Sequence, residues 1–146
     1  MSDDDDNRSS TEHLGDDFAR RLADLEATTS DDEQAAIAAL PSGSALLIVR
    51  RGPTVGARFL LDIPLTVAGR HPDADIFLDD VTVSRRHAEI SRDGVTFTVR
   101  DLDSLNGTYL DGERASEGAL SDGSEIQIGK YRMTFYPSRH DIPAGS

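Results

Sequence analysis

The chain has 146 residues, 37% hydrophobic and 29% charged, with a formal net charge of −12, a length that suits one ordinary domain plus a tail. The charge is uneven: residues 1–44 hold 12 acidic and 3 basic side chains (−9), leaving 15 and 12 (−3) for residues 45–146. A nearly balanced folded part lacks the clustered basic surface that nucleic-acid backbones require, and the absence of cysteine excludes disulfides, zinc–thiolate sites and cysteine nucleophiles.

The chain opens Met1-Ser2-Asp3-Asp4-Asp5-Asp6, the opposite of the basic start of a secretory signal. Its apolar runs, Ala45–Val49 among them, are far short of a membrane span. A cytoplasmic protein with no membrane partner is expected. Residues 1–44, rich in Asp, Ser and Ala with Phe18 as the single aromatic, read as an acidic tail that is largely disordered by itself. Within it Leu14, Phe18, Leu22 and Leu25 share one helical face, and a second helical patch, Asp32 to Leu40, is stopped by Pro41. Between them lies Ala27-Thr28-Thr29-Ser30-Asp31-Asp32-Glu33. It reads either as a linker or as a phosphorylatable segment beside a docking helix.

From Ala45 onward short apolar and alternating runs replace the tail. Ala45–Arg51 ends at Gly52-Pro53, Ala57–Leu61 near Asp62, Leu65–Ala68 at Gly69 and Ile76–Leu78 at Asp79-Asp80. His87–Ser91 and Val95–Asp101 flank Asp93-Gly94, a hairpin signal. Thr108–Leu110 precedes Asp111-Gly112, and Ile126–Ile128 and Tyr131–Tyr136 flank Gly129-Lys130. In Val95–Arg100 apolar and polar residues alternate as in a strand with one buried face. Short strands with turn signals about every 8–12 residues predict an all-β sandwich or barrel, with no long helix after Pro41. Residues 1–44 are thus a tail, 45–137 the domain and 138–146 a short C-terminal extension.

Three clusters carry chemistry: Gly69-Arg70, Ser84-Arg85-Arg86-His87 and Asn106-Gly107-Thr108. Arginine supplies forked cationic donors, serine a hydroxyl and asparagine both a donor and an acceptor. A phosphorylated side chain, with about −1.5 to −2 charge and three acceptor oxygens, needs that combination. Asn106 at a turn tip is suited to a peptide main chain, and Gly107 to the left-handed backbone of an Asn-Gly turn. Each cluster alone has a plainer explanation: a hairpin turn, a turn-stabilising serine, a half-buried histidine, or surface arginines pointing to opposite sides of an extended chain. Their joint order is what matters. Simple up-and-down counting of strands places Gly69-Arg70 at the opposite end of a sandwich from the other two clusters.

In that order the clusters resemble the forkhead-associated (FHA) domain over about Ala45–Phe135. The resemblance implies an FHA-type β-sandwich of about eleven short strands in which the three loops converge. By it Arg70 and Ser84 match phosphate contacts, Arg85 the following loop position and Asn106 the peptide-backbone contact. Gly69, His87, Gly107 and Thr108 match the pocket's framework, His87 bracing loops through hydrogen bonds. Leu105 stands where some relatives carry a threonine that contacts phosphate, so that contact is absent here.

Asp62–His87 and the acidic tail resemble the small actinobacterial FHA regulators known as glycogen accumulation regulators and oxoglutarate dehydrogenase inhibitors. The resemblance implies binding, in the unphosphorylated state, to the oxoglutarate dehydrogenase E1 component and glutamate dehydrogenase. A Ser/Thr protein kinase then phosphorylates a tail threonine, which docks in the protein's own pocket and switches it off. Those relatives carry two adjacent threonines preceded by Glu and followed by Ser, Val and Phe. Here Thr28-Thr29-Ser30 is kept, with Ala27 before and Asp31-Asp32-Glu33 after. Three places beyond the threonines stand Asp31 and Asp32, which arginines can accept. The 16 residues from Thr29 to Ala45 give a flexible reach of roughly 20–25 Å and an effective concentration on the order of millimolar. The competing reading is an adaptor for foreign phosphothreonine proteins, with the tail as spacer.

No catalytic set is legible. His13, His71, His87 and His140 lack metal-ligand spacing, and no glycine-rich phosphate loop is present. Asp101–Gly107 resembles a calcium loop, but its third ligand and glycine fall one residue late. A monomeric, non-enzymatic protein without a cofactor is expected.

Overall fold

In the computed structural model, which describes residues 31–142, eleven strands lie between Ala45 and Pro137. They are β1 (Ala45–Arg51), β2 (Arg58–Leu61), β3 (Leu65–Gly69), β4 (Ile76–Phe77), β5 (Ala88–Asp93), β6 (Thr96–Asp101), β7 (Thr108–Leu110), β8 (Glu113–Arg114), β9 (Glu117–Leu120), β10 (Glu125–Ile128) and β11 (Tyr131–Pro137). One sheet has the order β2-β1-β11-β10-β7-β8 and the other β4-β3-β5-β6-β9. Residues 31–38 form a helix, α1. Contacts divide the chain after Ala36, and Ile37–Ser146 is one compact unit. The sequence readings at Leu14–Leu25, Thr28 and Thr29 lie outside the described residues.

Alternation builds the core. Ala45, Leu47 and Val49 of β1, Phe97 and Val99 of β6, Ile126 and Ile128 of β10, and Tyr131, Met133 and Phe135 of β11 are all buried in one cluster. Phe97 meets Phe135 edge to face at 5.3 Å between ring centroids, joining the two sheets through an arrangement favoured by the ring quadrupoles. Strands β8 and β9 escape the sequence pattern because they are edge strands whose composition does not announce them. Glu-Arg and Glu-Gly-Ala-Leu bury only Leu120 and are defined by their pairing to β7 and β6.

Hairpin chemistry is mostly as the sequence suggests. Asp111 (φ 52°) and Gly112 (φ 87°) join β7 to β8, both in the left-handed region that a type I′ turn demands. The β5–β6 turn shifts by one residue, because Asp93 still pairs with Thr96. The loop is therefore Gly94-Val95, with Gly94 at φ 64° in the first position, where a type II′ connection prefers glycine.

Strand β4 corrects the count that separated the three clusters. It runs parallel to β3, with Ala68 opposite Ile76 and Gly69 opposite Phe77, so one connection does not reverse the chain. Strand β5 is then antiparallel to β3, with Ala68 opposite Ala88, and Ala88 faces Asp101 of β6. The end of β3, the start of β5 and the end of β6 therefore meet at one end of the sandwich.

The opposite end holds the start of β1. Ser138 Oγ donates to the Leu40 carbonyl at 2.9 Å, and the Ser138 amide donates to the Ser44 carbonyl at 3.0 Å. The Gly43 amide and Ser42 Oγ donate to the Asp141 carboxylate at 2.7 and 2.5 Å. Arg92 of β5 donates to the Gly43 carbonyl at 2.7 Å. With Ile37 and Leu40 buried, the segment leading into β1 is fastened there.

Candidate functional site

The three loops are stitched together by backbone groups before any ligand is considered. Arg70 N–H donates to the Ser84 carbonyl at 2.9 Å and His71 N–H to the Arg85 carbonyl at 3.2 Å, clamping the β3–β4 loop to the loop before β5. The clamp is so close that a Cβ on Gly69 would lie 2.0 Å from the Arg85 carbonyl oxygen. Gly69 is needed for this approach, not for its φ. His87 is wholly buried. Its Nδ1 accepts from Ser84 N–H at 3.1 Å and its Nε2 meets the Gly107 carbonyl at 2.8 Å. Because Nδ1 must accept, Nε2 carries the proton and donates. One imidazole thus ties the second loop to the third.

The functional atoms left over point to one chemistry. Ser84 Oγ accepts from Leu105 N–H at 3.1 Å, so its own hydroxyl hydrogen remains to be donated. Asn106 Nδ2 donates to the Thr82 carbonyl at 2.9 Å. A carbonyl cannot donate, so the amide orientation is fixed, and Oδ1 and the second N–H stay available. Arg70, Arg85 and Arg86 are exposed, and among the described residues none of them forms an ion pair. Arg85 and Arg86 both line one open groove of about 480 Å³ with Val67, His71, Asp73, Ala74 and Asp75, whereas Arg70, Ser84 and Asn106 do not line it. Unpaired guanidinium groups beside a free hydroxyl hydrogen and a fixed carboxamide are equipped for an anionic group carried on an extended peptide.

Residues 66–129 match the family model of the FHA domain. The chain is 52% identical over 130 residues to the glycogen accumulation regulator of Mycolicibacterium smegmatis, covering 89% of this chain and 82% of that protein. It is 56% identical over 115 residues to the oxoglutarate dehydrogenase inhibitor of Corynebacterium jeikeium, covering 78% and 80% respectively. The chain belongs to this FHA family. Among solved structures, an FHA domain studied for phosphothreonine-dependent interactions is similar at 34% identity and TM-score 0.59, covering 64% of this chain and 95% of that one. Mycobacterium tuberculosis EmbR in complex with a low-affinity phosphopeptide is similar at 36% identity and TM-score 0.61, covering 66% of this chain and 25% of that one.

Two parts of the FHA surface were not singled out from the sequence. The first is Thr82. It donates its hydroxyl to Asp80, accepts from Lys130 N–H at 3.0 Å and offers its carbonyl to Asn106. Hydrogen bonds from the Thr82 side chain and amide hold the Asp80 carboxyl below its ordinary value. The second is Asp101, whose carboxylate accepts from Ser104 Oγ at 2.5 Å, Thr108 Oγ1 at 2.7 Å and Ser104 N–H at 3.1 Å. Ser104 Oγ in turn accepts from Gly107 N–H at 2.9 Å, and Gly107 takes φ 85°. The acidic residue of the calcium-like stretch is thus used internally, to shape the Asn106 turn. Asp-x-x-Ser at the end of a strand was the available signal, because such side chains close turns onto their own backbone.

Burial is the largest influence on Asp101 and acts upward, but the bonds from Ser104 and Thr108 together outweigh it and lower the pKa from 3.8. A carboxylate whose folded value lies below its unfolded one contributes stability that is fully present above the unfolded value. That contribution is lost as pH falls through the folded value. Asp101→Asn should therefore cost about 2 kcal/mol at neutral pH, with the gap to the parent protein closing below about pH 4. Urea unfolding at a series of pH values checks this, and a gap independent of pH would exclude the carboxylate's role.

Proposed function

We propose that this protein is a cytoplasmic, monomeric, non-enzymatic regulator that reads phosphothreonine through Arg70, Ser84, Arg85 and Asn106. Its targets are enzymes at the 2-oxoglutarate branch point, the E1 component of oxoglutarate dehydrogenase and glutamate dehydrogenase. The observation that carries the reading is the set of exposed arginines, without an ion pair among the described residues, in loops clamped to the one that holds the free Ser84 hydroxyl hydrogen, in a chain related to an oxoglutarate dehydrogenase inhibitor. The phosphate takes forked bonds from Arg70 and Arg85 and one from Ser84, each charge-assisted bond contributing about 1.5–3 kcal/mol. Asn106 takes the peptide main chain through Oδ1 and its second N–H.

Phosphorylation of Thr28 or Thr29 by a Ser/Thr kinase supplies the same ligand in cis. The tail then occupies the pocket and displaces the enzymes. No helix among the described residues is long and apolar enough to cross a membrane. The second reading, an adaptor for foreign phosphothreonine proteins, draws on the similarity to phosphopeptide-bound EmbR.

Titrating the full chain with the peptide Leu25–Gln34, phosphorylated at Thr28 or Thr29, separates the two. Micromolar, phosphate-dependent binding, with loss of inhibition of oxoglutarate dehydrogenase on stoichiometric tail phosphorylation, is the expected result. No binding of the tail peptide would leave the pocket for foreign phosphoproteins and favour the adaptor.

A further inference from the structure

The chain has two asparagines, Asn7 before Arg8 and Asn106 before Gly107. An asparagine followed by glycine is the pairing most prone to lose its side-chain amide, because glycine has no Cβ to shield its backbone nitrogen. The reaction is intramolecular. The Gly107 nitrogen gives up its proton and bonds to Cγ of Asn106, the bond from Cγ to Nδ2 breaks, and ammonia leaves with the proton. Water then opens the five-membered imide at one of its two carbonyls, giving aspartate or its β-linked isomer. Leu105 is 85% exposed and Asn106 is exposed beside it, so water and hydroxide reach this turn.

The two reacting groups are nevertheless both held. Gly107 is buried, and its N–H donates to Ser104 Oγ at 2.9 Å. Ser104, itself buried, is fixed in that accepting role because its own hydrogen goes to Asp101 at 2.5 Å. Thr108 Oγ1 donates to the same carboxylate oxygen at 2.7 Å. On the other side, Asn106 Nδ2 donates to the Thr82 carbonyl at 2.9 Å, which keeps the leaving amide on a partner distant in sequence. Cyclisation requires the Gly107 N–H to leave Ser104 and the carboxamide to leave Thr82. Each bond given up slows the reaction about tenfold.

We propose that Asn106 is a deamidation site and that Ser104 is the positioning residue that slows it, by holding the Gly107 nitrogen away from the Asn106 side chain. Deamidation replaces the donor that faces the Thr82 carbonyl with a carboxylate, which can only accept. It also adds a negative charge to the loops that carry Arg70, Ser84 and Arg85. The chemistry therefore ends in loss of phosphopeptide binding. That consequence rests on the phosphothreonine reading above, whereas the protection by Ser104 does not.

The test incubates the full-length parent, Ser104→Ala and Ile126→Val at mildly alkaline pH beside the free peptide Asp103–Tyr109. Peptide mapping by mass spectrometry follows the replacement of –NH2 by –OH at Asn106. The parent is expected to react about a hundredfold more slowly than the free peptide, and Ser104→Ala about tenfold faster than the parent. Ile126 is buried in the core, so Ile126→Val lowers stability without touching the turn and should keep the parent rate. Ser104→Ala reacting at the parent rate, or Ile126→Val accelerated as much as Ser104→Ala, would overturn the proposal. Should Ser104→Ala fail to fold, hydrogen exchange of the Gly107 amide in the parent decides: slow exchange is expected, and exchange at the rate of an unprotected amide would overturn the protection. Deamidated parent, separated by its extra charge, should bind a phosphothreonine peptide at least about tenfold more weakly. Unchanged affinity would overturn the loss of binding and Asn106's place in the phosphothreonine reading, and the rates would still decide the role of Ser104.

Discussion

Replacing Arg70 with alanine should lower affinity for a phosphothreonine peptide by a hundred- to a thousandfold while leaving the domain folded. The guanidinium can give a phosphate two parallel charge-assisted bonds, together about 3–4 kcal/mol, which sets the size of the loss. Folding should be nearly indifferent. The side chain is exposed and makes no ion pair among the described residues, and the Arg70 N–H to Ser84 carbonyl bond survives in the alanine variant. A surface change of that kind moves stability by no more than about 0.5 kcal/mol. Arg70→Lys keeps the charge but loses the fork, so it should sit between the two. Calorimetric titration beside a thermal melt reads both quantities. Binding within threefold of the parent would mean that Arg85 and Arg86 hold the phosphate without Arg70.

Gly69→Ala should be the most damaging single-methyl substitution at the site. The added carbon would stand 2.0 Å from the Arg85 carbonyl oxygen and 2.7 Å from its carbon. Those are backbone atoms, which cannot rotate away as a side chain can. They are held on the other side by the His71 N–H to Arg85 carbonyl bond, and the Gly69 carbonyl is held by Leu78 N–H at 2.9 Å. Relief requires the two loops to separate, breaking the clamp that sets Arg70 beside Ser84. A cost of about 3 kcal/mol is expected, a fall in melting temperature of roughly 10–20 °C for a domain of this size. Phosphopeptide affinity should fall at temperatures where the variant is still folded. A variant that melts with the parent would show that the loops can part cheaply. Preserved binding in a destabilised variant would show that the clamp does not position Arg70.

Both substitutions act on residues that the sequence had already singled out, yet for different reasons. Arg70 was legible from its chemistry: an arginine after a glycine at the end of a strand-like run, in order with Ser84 and Asn106. Gly69 was legible only as part of a familiar pattern. Nothing in its neighbours along the chain says that the Arg85 carbonyl will press on its Cα. The same division runs through the site. Gly107 could be assigned a left-handed backbone from the Asn-Gly pair, and it takes φ 85°. Thr82, which joins Asp80, Lys130 and Asn106, could not be found, because its partners are up to 48 residues away.

What the sequence by itself determined is local and periodic. Alternation along Val95–Arg100 marks β6, with Phe97 and Val99 inward, and Asp111-Gly112 marks a primed turn. An acidic, alanine-rich stretch stopped by Pro41 marks the helix at 31–38. These follow from side-chain spacing and backbone preference, which need no distant partner. Tertiary structure alone decided the direction of β4. A two-residue strand carries too little pattern to show whether it reverses, and its parallel pairing to β3 is what brings Arg70 to the end where Ser84 and Asn106 lie. Tertiary structure alone also fixed Leu40 to Ser138, fastening the segment that leads into β1 at the end of the sandwich opposite the three loops. Contacts between residues distant in sequence are selected by the packing of the whole chain, and no local preference encodes them.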